Sequence, residues 1–270
     1  MVEPLDLSSE PLEGLRYEQE GHVAHVIIDR AGKANSLTAR MHAGLRAIWQ
    51  DIGRDPQVRA VVLSAAGDRY FCTGADVGDL AERGTVSAGD GRLSEELFYT
   101  ARQCRVWKPV VCAVNGLVAA AGLHFVTDAD IVVASTNAAF TDTHVNVGML
   151  GAVENVALTR RLPLGSALRL TVMGRHYRMS AERAYQLGLV DELVNPDQLA
   201  DTASRMAEAI ASNSPTAVSR SLEALWGSLD LPLDEAMQRG WEMVKAHRAH
   251  PDAREGPRAF VEKRPPRWES

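Results

Sequence analysis

The stretch that decides the fold runs from Lys108 to Ala134 and reads KPVVCAVNGLVAAAGLHFVTDADIVVA. It predicts a buried strand over Val110–Val114, a tight turn at Asn115-Gly116 and a second buried strand over Ile131–Ala134. Between the strands, the small residues Ala119–Gly122 begin a helix. A helix start presents unpaired N–H groups and the positive end of the helix dipole. The stretch therefore predicts a place where negative charge can develop.

A second turn of the same kind precedes this stretch. The sequence FCTGAD (Phe71–Asp76) follows a predicted buried strand over Val58–Ala65, and it also places small residues at a bend. One backbone N–H from each turn could converge on a thioester oxygen that becomes an enolate, and each such donor can raise a rate roughly 100- to 1000-fold. The alternative is that small residues only allow tight packing between strand and helix, and spacing does not decide between the two.

Strands and helices alternate along the chain to about residue 195, and helices alone follow. This order predicts an α/β body with strands buried on both faces. We expect residues 1–200 to form the core with the active site and residues 201–270 to form a helical C-terminal region. A loose arm is expected over residues 1–14 and a mobile loop over 83–90. One predicted helix places four apolar residues on one side: Leu93, Leu97, Cys104 and Trp107.

Composition narrows the class of protein. Apolar residues make up 46% and charged residues 24%, and the net charge is −6, so neither nucleic acid nor an anionic membrane is an expected partner. No run approaches the roughly 18 apolar residues of a membrane span. The acidic, polar N-terminus is unlike a signal peptide. Cys72, Cys104 and Cys112 lack metal-site spacing, which predicts reduced thiols, no metal site and a cytoplasmic location.

Six segments, taken in order, resemble the enoyl-CoA hydratase/isomerase (crotonase) superfamily. They are VAHVIIDRAGKANSL, VRAVVLSAAGDRYFCTGADVGDL, KPVVCAVNGLVAAAGLHFVTDADIVVAS, FTDTHVNVGMLG, GRHYRMSAERAYQLGLVDELV and EGPRAFVEKR. The resemblance implies a crotonase-like spiral of ββα turns with a helical C-terminal trimerisation region, assembled as a homotrimer or a dimer of trimers. It also implies an acyl-CoA substrate, as in fatty acid metabolism, and no cofactor other than the coenzyme A that the substrate carries.

The resemblance also implies roles for particular residues. The oxyanion hole would be formed by the N–H groups of Ala75 and Ala121. The family usually has glycine at the second position, but alanine still supplies an N–H if its φ is helical. Coenzyme A would meet the loop backbone around the first turn and the C-terminal AFxxKR element, where an aromatic face suits adenine and an ammonium suits phosphate. The residues concerned are Gly74, Asp76, Phe260 and Lys263. For Phe260 and Lys263, an ordinary C-terminal helix is the alternative.

The sequence departs from the hydratases at the two catalytic glutamates. Those positions hold His124 and His144, so simple hydration is in doubt. Two imidazoles can still divide acid and base roles near neutral pH, with His144 as the principal group and His124 as its partner. Asp142 or Thr143 could orient the His144 ring. Glu154 is a third candidate, about two residues out of register with the carboxylate base of the isomerases, and a solvated acid at a helix start is its alternative.

Three hypotheses follow from this site. Hydration or a double-bond shift is the default by resemblance, through an enolate stabilised in the oxyanion hole. Hydrolytic cleavage of a carbon–carbon bond is the enzymatic alternative, because histidine bases suit it. A catalytically silent acyl-CoA-binding protein is the alternative of a different class.

Overall fold

The structure is a computed structural model that describes residues 7, 11–83 and 91–269. Most of the predicted N-terminal arm and nearly all of the predicted loop over residues 83–90 lie outside the described residues. The strands of the described part are β1 (Leu15–Glu20), β2 (Val23–Ile28), β3 (Ala60–Ala65), β4 (Tyr70–Cys72), β5 (Val110–Val114), β6 (Leu117–Ala119), β7 (Ile131–Ser135), β8 (Ala139–Thr141), β9 (Met179–Ser180) and β10 (Glu192–Val194).

These strands form two sheets, one of six strands in the order β1-β2-β3-β5-β7-β10 and one of four in the order β4-β6-β8-β9. Only the β1–β2 and β8–β9 pairs are antiparallel. Between β3 and β8, each turn of the chain adds one strand to the large sheet and the next strand to the small sheet. This repeat is the spiral of ββα turns that the sequence predicted.

The helices of the described part are α1 (Ala39–Arg54), α2 (Val77–Arg83), α3 (Leu93–Glu96), α4 (Leu123–Asp128), α5 (Val153–Leu158), α6 (Leu164–Met173), α7 (Ala181–Leu187), α8 (Leu199–Ala211), α9 (Pro215–Ser228), α10 (Leu233–His247) and α11 (Asp252–Glu262). Short 3-10 turns occur at Ala120–Gly122 and His144–Val147. None of the described helices combines the length and apolar character needed to cross a membrane.

The large sheet has a core on each face, because successive side chains of a strand point in opposite directions. On β5, Val110, Cys112 and Val114 join the main core, whereas Val111 and Ala113 join a second one. Helix α8 covers that second face, packing Leu199, Ala203, Ala207 and Ala211 against it. Both faces of the central strands are therefore buried, as their apolar sequences predicted. The division at residue 200 stays a prediction, and it falls at the start of this packed helix.

One predicted helix is wrong. The segment 93–107 forms only the short helix α3, and Leu97 ends it in an extended conformation. Beyond that point, side chains form hydrogen bonds with the backbone groups of Tyr99. The Trp49 indole donates to the Tyr99 carbonyl at 2.9 Å, and Tyr99 N–H donates to Gln103 Oε1 at 2.9 Å. These hydrogen bonds replace the backbone hydrogen bonds of a continued helix, and the segment turns toward α4.

Candidate functional site

The two small-residue turns lie against each other. Gly74 has φ +92°, and a Cβ placed on it would lie 2.8 Å from the Cβ of Ala120 and 3.2 Å from the backbone nitrogen of Ala121. Leu37 holds the first turn, donating its N–H to the Gly74 carbonyl and accepting from Asp76 N–H, both at 2.8 Å. The N–H of Ala75, which lies between Gly74 and Asp76, takes no part in these two hydrogen bonds.

In the second turn, Ala121 is not among the residues with a positive φ. Ala121 lies in the 3-10 turn Ala120–Gly122, at whose start backbone N–H groups have no partner within the turn. The left-handed residue is its neighbour Ala120, with φ +49°. Gly122 is required there, because a side chain would collide with the Cys72 carbonyl. The two predicted oxyanion donors are thus on touching turns, and their role stays a prediction.

Two histidines and a glutamate form a buried chain beside these turns. His124 lies on α4, three residues after Ala121, and its Nε2 is 3.5 Å from Glu154 Oε2. The other carboxylate oxygen of Glu154 is 3.2 Å from His144 Nδ1. The exposed fractions of the three side chains are only 6%, 7% and 13% for His124, Glu154 and His144. Glu154 as a solvated acid is therefore wrong, since α5 places it between the two rings.

Asp142 anchors His144. Its Oδ1 accepts from His144 Nδ1–H at 2.7 Å and from the His144 backbone N–H at 3.0 Å, while Oδ2 accepts from Asn155 Nδ2 at 2.6 Å. Of the two neighbours predicted to orient the ring, Asp142 is the one that bonds it. Gly151 closes the cluster, because a Cβ there would lie 2.6 Å from His144 Nδ1.

The surroundings push the two histidines in opposite directions. Burial alone would lower the pKa of His144, but the hydrogen bond to Asp142 and the charge of Glu154 outweigh it and raise that pKa. Burial dominates for His124 and lowers its pKa, even though Glu154 and Asp128 act the other way. Burial would raise the pKa of Asp142, yet the bonds from His144 and Asn155 leave it below its usual value. His144 is thus suited to hold a proton, and His124 to remain neutral.

Sequence reasoning missed three residues near His124, two that contact its ring and a third that stacks on one of these two. The Tyr99 ring stacks on His124 with 5.5 Å between centroids, and the His42 ring stacks on Tyr99 at 4.3 Å. Gln103 Nε2 lies 3.1 Å from His124 Nδ1. The signal was hidden because Tyr99 and Gln103 fall in the wrongly predicted helix, while His42 lies on the apolar face of α1.

The predicted contacts to coenzyme A are spread over the fold. Asp76 uses its carboxylate within the protein, accepting from Arg30 Nη1 at 2.5 Å and from Ser36 Oγ at 3.0 Å. Phe260 lies on α11 with an exposed fraction of 86%, and Lys263 follows with φ +53°. Asp76, Phe260 and Lys263 make no hydrogen bond or ion pair with His124 or His144 among the described residues, and their role in binding coenzyme A stays a prediction.

A cavity and the grouping of possible metal ligands complete the description of the molecule. A cavity of about 780 Å³ lies elsewhere, between the β1–β2 turn, α8 and residues 265–268, and no predicted site residue lines it. Within the described part of the chain, no three His, Cys, Asp or Glu side chains are grouped in a way that could hold a metal ion.

Comparison with known proteins decides the family. The family model for enoyl-CoA hydratase/isomerase matches residues 18–270. The chain belongs to this family. The (E)-benzylidenesuccinyl-CoA hydratase of Thauera aromatica is 34% identical over 250 residues, covering 92% of this chain and 96% of that protein. The 1,2-epoxyphenylacetyl-CoA isomerase of Escherichia coli K12 is 32% identical over 257 residues, covering 92% and 95%.

A solved structure agrees with this membership. The crystal structure of an enoyl-CoA hydratase/isomerase from Mycobacterium paratuberculosis has a TM-score of 0.87 and 39% identity, covering 96% of this chain and 99% of that one. The predicted α/β crotonase-like fold and the prediction of an enzyme of the enoyl-CoA hydratase/isomerase family are confirmed. Members of one family carry out different reactions, so the reaction has to be argued from the site.

Proposed function

We propose that this enzyme moves a proton at the carbon next to an acyl-CoA thioester, with His144 as the acid/base and the Ala75 and Ala121 N–H groups as the oxyanion hole. One observation carries the proposal. His144 Nδ1 is held by Asp142 at 2.7 Å and Glu154 at 3.2 Å, whereas its Nε2 has no hydrogen-bond partner among the residues that the structure describes. Of the two imidazoles in the buried chain, His144 alone has a ring nitrogen left for a substrate.

The proton assignment follows from the acceptors. A carboxylate can only accept, so Nδ1 of neutral His144 carries the proton and Nε2 carries the lone pair. Nε2 removes a proton from the substrate carbon while two backbone N–H groups stabilise the enolate oxygen. The imidazolium that forms lies beside Asp142 and Glu154, which stabilise it until the proton is returned.

Where the proton is returned sets the reaction. Delivery to a different carbon of the enolate shifts the double bond. In hydration, Nε2 instead takes a proton from water as the water oxygen adds to the double bond, and the enolate is then protonated. The family is that of the enoyl-CoA hydratases and isomerases, which supports keeping both reactions. We also propose that His124 and His144 replace the two glutamates of the hydratases, with Glu154 as the retained carboxylate.

The experiment compares wild type with His144→Ala on three reactions: hydration of crotonyl-CoA, conversion of a 3-enoyl-CoA into a 2-enoyl-CoA, and exchange of the α-protons of butyryl-CoA in D₂O. Exchange reports enolate formation whatever the later step is. We expect activity in wild type and a roughly 100- to 10,000-fold loss in the variant. Absence of all three reactions in wild type, with CoA-ester binding that survives the substitution, would instead support a silent binding protein.

Hydrolytic carbon–carbon cleavage is the second candidate, and the contact of His144 with two carboxylates favours it, because a carboxylate-oriented imidazole is a common activator of water. His144 would take a proton from water as the oxygen bonds to a ketone carbon. The carbon–carbon bond would then break toward a thioester enolate held by Ala75 and Ala121, and the imidazolium would protonate it. Release of a carboxylic acid and a shortened thioester from a 3-oxoacyl-CoA is the test.

The remaining proposals concern binding and assembly. We propose that the loop at Gly74 and Asp76 and the residues Phe260 and Lys263 contact coenzyme A, and that no other cofactor is needed, because proton transfer beside a thioester requires only a base and oxyanion donors. We propose a homotrimer or a dimer of trimers, supported by exposed apolar side chains on α6 and α10 that a single chain leaves uncovered. They include Leu164, Leu168, Val172, Leu233 and Met237. A cytoplasmic location is proposed from three cysteines without disulfides.

A further inference from the structure

We propose that Gln103 is a positioning residue that fixes His124 as a neutral imidazole with its proton on Nε2, directed at Glu154. The inference rests on the proposed function, in that it assigns His124 a supporting role and leaves proton exchange with the substrate to His144. It starts from two hydrogen bonds of a single amide, one to a backbone group and one to the His124 ring.

The orientation of the Gln103 amide is decided by the backbone. Tyr99 N–H is 2.9 Å from the Oε1 atom, and because a backbone N–H can only donate, that side of the amide must be the carbonyl oxygen. The NH₂ group therefore faces His124 Nδ1 at 3.1 Å. A second bond fixes the segment, since Gln103 N–H donates to Thr100 Oγ1 at 3.2 Å.

The tautomer of His124 follows from this orientation. An NH₂ group can only donate, so His124 Nδ1 must accept and cannot carry a proton. The one proton of the neutral ring is then on Nε2, which lies 3.5 Å from Glu154 Oε2. An imidazolium would point Nδ1–H at the amide NH₂, donor against donor, so Gln103 opposes protonation independently of burial.

Burial lowers the pKa of His124, and its charged neighbours act in both directions, since Glu154 and Asp128 raise that pKa whereas His144 and Arg102 lower it. Glu154 and His144 face the His124 ring across the cluster, while the Asp128 carboxylate is occupied by Thr100 Oγ1 and Arg102 Nε, each at 2.8 Å. Tyr99 stacks on the ring and restrains its rotation. Both nitrogens of His124 thus have assigned partners, and neither is left for a substrate.

The consequence reaches His144 through Glu154. The Nε2–H of His124 faces one carboxylate oxygen of Glu154 at 3.5 Å, and the other oxygen lies 3.2 Å from His144 Nδ1. If His124 became a cation, it would place a second positive charge beside Glu154 and weaken the support that Glu154 gives to protonated His144. Gln103 thereby maintains the basicity of His144 indirectly, through His124 and Glu154.

The first test needs no substrate. In protein labelled with ¹⁵N-histidine, we expect His124 to show a directly bonded proton at Nε2 and none at Nδ1 between pH 5.5 and pH 8.5, a window of about one to two units around the ordinary histidine pKa. A proton on Nδ1 in wild type would overturn the inference. The NMR measurement does not require that the protein turns over any acyl-CoA. Its outcome therefore tests the inference independently of the proposed function.

The second test changes the donor into an acceptor. In Gln103→Glu, one carboxylate oxygen can still accept from Tyr99 N–H, and the other accepts from the ring. We expect Nδ1 to become protonated and the pKa of His124 to rise by roughly 1–3 units, the effect of an adjacent opposite charge. Gln103→Met removes the donor without adding charge, and we expect both tautomers to appear. Gln186→Glu, at an exposed position on α7, is the matched control and should change neither histidine.

The catalytic readout is the pH profile. We expect kcat/KM of Gln103→Glu to fall roughly 10- to 100-fold, as for other residues that orient a catalytic side chain, and its pH profile to gain a second ionisation. In Gln103→Asn the side chain is too short to reach both Tyr99 and His124, so this variant should behave like Gln103→Met. If the variants lose activity while the His124 tautomer and the shape of the pH profile stay as in wild type, Gln103 is merely structural and the inference is wrong.

Discussion

The substitution Gly151→Ala tests whether the position of His144 matters as argued. Gly151 does not have a positive φ, so the new methyl group acts by contact alone. Its Cβ would lie 2.6 Å from His144 Nδ1, 2.7 Å from Asn155 Nδ2 and 2.9 Å from Asp142 Oδ2. An ordinary contact begins near 3.4 Å, so the ring or its anchor must move by about 0.8 Å. A shift of that size would break the 2.7 Å bond between His144 and Asp142.

Two effects follow from the loss of that bond. A misplacement of about 1 Å can cost a catalytic group roughly 100-fold in rate, and we expect kcat to fall by that order. The pKa of His144 should also fall toward the ordinary histidine value of about 6.5, because the hydrogen bond that His144 donates to Asp142 raises it. Proton exchange into butyryl-CoA measures the first effect, and NMR titration of the His144 ring measures the second.

The control for Gly151→Ala is Gly165→Ala on α6. A Cβ at Gly165 meets nothing within 4 Å, and its φ is not positive, so the same chemical change should leave the rate unaltered. Alanine within a helix should add about 0.5–1 kcal/mol to the free energy of unfolding. A folded Gly151→Ala enzyme with the wild-type rate and the wild-type His144 pKa would refute the argument that Asp142 positions the catalytic ring.

Three further predictions concern the rest of the site. Removing the imidazole in His144→Ala should lower kcat roughly 100- to 10,000-fold, and an unchanged rate would exclude His144 as the acid/base. Gly74→Ala should press on the Ala121 N–H and cost up to about 100- to 1000-fold in kcat, whereas Gly21→Ala, also at a positive φ but with open space, should leave the rate unchanged. His42 should destabilise the protein in acid, because burial and then the Arg46 cation lower its pKa to about 4. In the unfolded protein, His42 binds a proton below pH ~6.5, so the free energy of unfolding should drop by about 3 kcal/mol between pH 6.5 and pH 4. Urea unfolding of His42→Gln should lack this part of the pH dependence.

The local features of the fold could be predicted from the sequence, because each depended on nearby residues. The strand at Val110–Val114 follows from its β-branched run, and the turn that carries Ala121 follows from small residues after a strand. The helix over residues 93–107 could not be corrected in this way. Its apolar spacing fits a helix, but the indole of Trp49, fifty residues earlier, binds the Tyr99 carbonyl. A contact over that distance leaves no periodic signal.

Glu154 shows the same limit at the site. Register alone placed it two residues from the family position of a carboxylate base, and its location at a helix start suggested a solvated side chain. The structure begins α5 at Val153 and packs it against α4, which turns Glu154 inward between the histidines. The inward direction depends on how two helices meet, and that is a tertiary property.

Charge explains why one neutral and one basic histidine suit this site better than two equivalent ones. Abstracting a proton beside a thioester needs a strong base, and His144 is strengthened because Asp142 and Glu154 stabilise its protonated form. A second cation at His124 would oppose this, placing positive charge on the far side of the same Glu154 carboxylate. Burial and the Gln103 amide both keep that ring neutral. In the proposed mechanism, a neutral His124 therefore leaves the support of Glu154 to protonated His144.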